Sequence, residues 1–73
     1  MIEFSEHAIA RMNRRKVSKV EIIETLGNPD DVLFDIQTGY FIAIRKRNGK
    51  WLIVVYVPED NIKIISAIVT SKF

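Results

Sequence analysis

The stretch "FSEHAIARMNRR", residues 4 to 15, places His7, Arg11 and Arg14 within about 60° of one another on an ideal helix, with Arg15 joining them at its end. Such a stripe suits phosphate chemistry. Arginine offers a fork of N–H donors matched to phosphate oxygens, and histidine titrates near neutrality and can move a proton. Spacing alone leaves two readings open, because a histidine and arginines one turn apart also make an ordinary solvated helix face.

Other chemistries find less support. His7 is the single histidine of the chain, and Glu3 and Glu6 beside it follow no zinc or iron ligand spacing, so no metal and no cofactor are expected. Ser5 is better placed to cap a helix than to act as a nucleophile with His7. The glycines at 27, 39 and 49 are isolated, which excludes a glycine-rich phosphate loop.

A chain of 73 residues is expected to form a single domain, 1–73, with a core that stabilises it only marginally. A homodimer or a partner protein is the expected remedy. Hydrophobic residues at 48% and charged residues at 27% exclude a disordered chain. With no cysteine there is no disulfide framework and no thiolate metal site, which fits the cytoplasm. The opening "MIEFSEH" lacks the basic flank and apolar core of a leader, and "WLIVVYV" is far short of the roughly 20 residues a membrane helix needs. No membrane association is expected.

The net charge of +2 conceals an uneven distribution. Arg11, Arg14, Arg15, Lys16 and Lys19 form one basic run, Arg45, Lys46, Arg47 and Lys50 form another, and Asp30, Asp31 and Asp35 separate them. Solubilising surface and nucleic-acid contact both produce such patches.

The elements that position these groups follow from capping and periodicity. Ser5 starts a helix over about 6 to 15 with Ala8, Ile9 and Met12 at helical spacing. "SKVE" at 18 to 21 is a capping box opening a second helix over about 19 to 26, with Val20, Ile23 and Leu26 as its apolar stripe. Gly27 is expected to end it in the left-handed conformation, with Pro29 barring continuation. Beyond residue 32 the period changes. "VLFDI", "YFIAIRKR", "WLIVVYV" and "IKIISAIVT" read as consecutive antiparallel strands, and Asn48-Gly49 reads as a tight hairpin turn. The predicted fold is α+β, ααββββ, with two helices on one face of a four-stranded antiparallel sheet and "WLIVVYV" central. Ile23, Leu26, Ile53, Val55 and Ile64 are the expected core, although adjacent Ile64 and Ile65 leave the inward face of the last strand open.

The run from Phe4 to Val32 resembles the opening of a family of small prokaryotic proteins catalogued as a domain of unknown function. Ser5, His7, Ala8, Arg11, Met12 and Arg15 meet its S-x-H-A-x-x-R-M-x-x-R pattern. The second half, "GKWLIVVYVPEDNIKIISAIVTSKF", is similar to the end of the BrnT toxins, with Ile68 standing where those proteins usually carry a basic residue. Both resemblances imply a RelE-like ribonuclease fold and a toxin–antitoxin setting. The implied reaction is metal-independent cleavage of RNA, most simply mRNA, by an endoribonuclease whose partner is a cognate antitoxin. His7 would be the acid or base, Arg11 and Arg15 would stabilise the phosphate, and Arg14 would support them. Tyr40, Ser66 and Thr70 would orient the substrate, and Arg45 and Lys63 would extend the RNA track. The competing expectation is a non-catalytic RNA-binding or protein-docking module on the same fold, with Trp51, Tyr56 and Tyr40 as anchors.

Overall fold

The computed structural model describes residues 1–72. In chain order the elements are β1 (Ile2–Phe4), α1 (Glu6–Arg15), α2 (Lys19–Gly27), β2 (Asp31–Phe34), β3 (Phe41–Arg47), β4 (Lys50–Pro58) and β5 (Ile62–Thr70). The strands form one five-stranded sheet in the order β1-β5-β4-β3-β2. The central strand is the expected one, β4. The expected four-stranded antiparallel sheet is corrected by β1, which pairs parallel to β5 through Ile2–Ile62, Glu3–Lys63 and Phe4–Ile64 and makes the sheet mixed. Three residues carry too short a pattern to announce a strand; β1 exists because β5 supplies an edge beside it.

Both helices begin where their caps place them. Ser5 accepts the Ala8 N–H at 3.0 Å, and the Ser18–Glu21 capping box is closed in both directions at 3.2 and 3.1 Å. α1 ends on Lys16 in the left-handed conformation, φ 58°, where the Val17 N–H reaches back to the Met12 carbonyl at 2.9 Å. α2 ends differently from the expectation. Gly27 is its last residue and has no positive φ, and Asn28 follows at φ −149° and ψ 64° with its N–H on the Glu24 carbonyl at 3.0 Å.

The core lies between the helices and one face of the sheet. Ala8 and Met12 of α1 and Ile22 of α2 pack with Ala43, Leu52, Val54, Ile64 and Ala67, and Val17 closes one end. Ile64 fulfils its expected place, and Leu26 packs against the cluster from a half-buried position. Val20 and Ile23 are instead exposed, because α2 turns Ile22 and Thr25 inward; the Thr25 hydroxyl is satisfied by the Glu21 carbonyl at 2.8 Å. Ile53 and Val55 are half-buried on the opposite face, since Leu52 and Val54 take the inward positions of β4.

A bulge settles the face of β5. Val55 pairs with Ser66 and Tyr56 with Ile64, so Ile65 is the extra residue. Ile64 and Ala67, three positions apart, therefore both point inward.

Candidate nucleic-acid interface

The strand register defines two ends of the sheet. At one end, Arg47 and Lys50 flank the Asn48-Gly49 turn, whose φ values of 51° and 77° suit a primed hairpin. Trp51 pairs with Thr70 there, so the close of β5 lies beside that turn. α1 delivers its last turn to the same place. Arg14, Arg15 and Lys16 border an open depression of about 470 Å³ with Lys50 and the Val69–Ser71 segment across from them. A second depression, about 290 Å³, shares Arg15, Lys16, Lys50 and Val69 and continues to Asn48 and Arg47. Arg14, Arg15 and Lys16 of one basic run and Arg47 and Lys50 of the other, more than 30 residues apart in sequence, thus meet in one surface.

Electrostatics distinguish the cations within it. Arg47 is committed to Glu21, Nη1 to Oε2 at 2.8 Å, and Arg45 donates to the Glu24 carbonyl at 3.2 Å, so both hold α2 on the sheet. Among the described residues no carboxylate pairs with Arg14, Arg15, Lys16 or Lys50. Arg14 and Arg15 also sit at the C-terminal end of α1, where cations meet the partial negative charge of the last carbonyls.

The opposite end carries a second group of acids, apart from Glu21 and from Asp30, whose Oδ2 accepts the Lys46 N–H at 2.7 Å. Glu3 and Glu6 flank the start of α1, whose Ser5 N–H bonds the Ile64 carbonyl at 3.1 Å, and Asp35, Glu59 and Asp60 occupy the turns before β3 and β5. His7 belongs to this end. It is exposed on the first turn of α1 and borders none of the described depressions. Eight residues of helix put it about 12 Å from Arg15 along the axis, with half-buried Arg11 between them.

The remaining sequence candidates scatter. Thr70 borders the cationic depression, but its hydroxyl donates to the Lys72 carbonyl at 2.7 Å and accepts the Lys72 N–H. Ser66 and Lys63, paired with Val55 and Val57, lie on the sheet face turned away from the helices. Tyr40 is half-buried at the end of the β2–β3 turn, its carbonyl accepting the Asp35 N–H at 2.9 Å. The structure therefore unites Arg14, Arg15 and Thr70 and leaves His7, Tyr40, Ser66 and Lys63 elsewhere. Lys16 and Lys50 belong to the surface and were not among the candidates. Their signal was legible, since the hairpin turn beside Lys50 and the helix end at Lys16 both mark chain reversals at which side chains splay outward.

Among the described residues no group of three His, Asp or Glu side chains is arranged to hold a metal ion, and no helix is long and apolar enough to cross a membrane. The fold and this surface define a small α+β domain with one strongly cationic end. The chain belongs to the DUF4258 family, a domain of unknown function, whose model matches residues 4–69. No curated protein and no solved structure matches it.

Proposed function

We propose that this protein is a metal-independent endoribonuclease of the RelE/BrnT-like toxin type, acting in the cytoplasm within a toxin–antitoxin pair, and that it holds RNA at its cationic end. The observation that carries the reading is the meeting of Arg14, Arg15, Lys16 and Lys50 around one open depression, with no carboxylate among the described residues paired to them. Such a surface suits a phosphate backbone.

In the proposed reaction the 2′-hydroxyl of the substrate attacks the adjacent phosphorus, forming a 2′,3′-cyclic phosphate as the bond to the 5′-oxygen breaks. A proton leaves the 2′-oxygen and another is given to the departing 5′-oxygen. An RNA strand running along α1 from Arg15 passes Arg11 and reaches His7, which would move one of these protons while the arginines offset charge on the phosphorane.

A second reading, an RNA-binding module without cleavage, is favoured by one observation: His7 stands apart from the cationic depressions. One experiment separates the two. The parent protein and the variants His7→Ala and Arg15→Ala are compared for growth arrest on expression and for cleavage of bulk RNA with chelator present. Cleavage by the parent, reduced about 10²-fold or more in folded His7→Ala, supports the enzyme. Binding of RNA with neither arrest nor cleavage supports the module, and cleavage unaffected by His7→Ala removes that residue from the mechanism.

A further inference from the structure

β2 is the outermost strand on its side of the sheet, and each of its residues is exposed. Val32, Leu33 and Phe34 leave 43%, 44% and 54% of their surface to solvent. Native sheets usually shield an edge with lysine, proline or a covering loop, and this edge presents consecutive apolar side chains instead. Its backbone is also available. The Asp35 N–H on the Tyr40 carbonyl sets the alternation in which Leu33 turns its polar groups to β3 while Val32 and Phe34 turn theirs outward. Asp31 Oδ1 accepts the Val32 N–H at 2.8 Å, whereas the Phe34 N–H and the carbonyls of Val32 and Phe34 face a side on which no described strand lies.

We propose that β2 is a docking edge for an extended segment of a partner chain, with apolar residues at alternate positions and Lys or Arg at both ends. Pairing with Phe34 supplies backbone hydrogen bonds, and alternate side chains pack on the two faces of the edge. One face offers Val32 and Phe34, the latter already against Phe41 with ring centroids 4.9 Å apart, and the other offers Leu33.

Charge selects this occupant over a second copy. Asp30, Asp31 and Asp35 bracket the apolar residues, so antiparallel pairing of two β2 strands would set carboxylates against carboxylates along the seam. A segment with cationic ends meets the opposite field. The edge shares no residue with the cationic depressions, and the inference stands apart from the RNA reading.

The probe is the synthetic peptide acetyl-Arg-Val-Thr-Val-Thr-Val-Arg-amide, titrated into the full chain while backbone amide resonances are followed by NMR. Expected are shifts concentrated in residues 30–36 and 41–44, affinity about tenfold weaker with Glu in place of both Arg residues, and loss of binding when alternate peptide amides are N-methylated. Phe34→Lys and, as a second variant at an exposed position, Val32→Lys should each weaken binding about tenfold with the amide spectrum otherwise unchanged. The proposal is overturned by an absence of shifts at about millimolar peptide, by equal binding of the Glu-ended peptide, or by shifts mapping elsewhere. A dimer of the protein alone that Phe34→Lys dissociates would assign the edge to a second copy and overturn it as well.

Discussion

The Ser5 hydroxyl donates to the Ile65 carbonyl at 3.1 Å while accepting the Ala8 N–H at 3.0 Å, so one side chain both caps α1 and fastens it to the bulged residue of β5. Replacing it removes both bonds. Ser5→Ala should lower stability by about 1–2 kcal/mol, and Ser5→Thr should retain most of it. The urea midpoint measures the difference.

Two glycines should respond to alanine with opposite signs. Gly27 lies at the end of α2 without a positive φ and with open space where a Cβ would stand, so Gly27→Ala should stabilise by about 0.5 kcal/mol. Gly49 has the same open space but a φ of +77°, and Gly49→Ala should destabilise by about 1 kcal/mol through backbone strain alone. Thermal unfolding of the pair checks both signs.

Glu21 performs two tasks that substitution can divide. Glu21→Gln loses the ion pair to Arg47, whose partners are part-exposed, and should cost about 0.5 kcal/mol, vanishing at high salt. Glu21→Ala also opens the capping box and should cost about 1 kcal/mol more at any ionic strength.

Binding of single-stranded RNA should depend on salt according to which cations meet phosphate. Arg15→Ala and Lys50→Ala should each flatten the slope of log K against log salt by about 0.7, the share of one phosphate contact. Lys63→Ala, on the other sheet face, should leave the slope unchanged. Equal effects at all three positions would point to diffuse attraction in place of a defined surface.

The helices were legible because their starts are written in local chemistry: Ser5 and the Ser18–Glu21 box need only neighbouring backbone to work. The turn at Asn48-Gly49 was legible for the same reason. β1 was not, because its existence depends on a partner strand some 60 residues away. The inward residues of α2 were misjudged because Val20 and Ile23 are as apolar as Ile22, and only the position of the sheet decides between them; Thr25 enters the core by bonding its own helix. As for the candidate site, the expected stripe ran from His7 through Arg11 to Arg14 and Arg15, and of these the cationic depression is bordered by Arg14 and Arg15. Sequence spacing could not show that the second basic run would arrive beside them, nor that His7, two turns back, would sit among the acids.

The gathering of Glu3, Glu6, Asp35, Glu59 and Asp60 at one end of the strands, and at the other of Arg14, Arg15, Lys16 and Lys50 with no carboxylate among the described residues paired to them, has a kinetic meaning. A separation of charge between two ends of a small body is a permanent dipole, and an approaching field turns such a body before it touches anything. Against a polyanion the Asn48-Gly49 end leads, and the β2–β3 turn with Asp35 trails. Orientation thus precedes contact, and the rate of productive encounter falls as salt screens the field over roughly 10 Å.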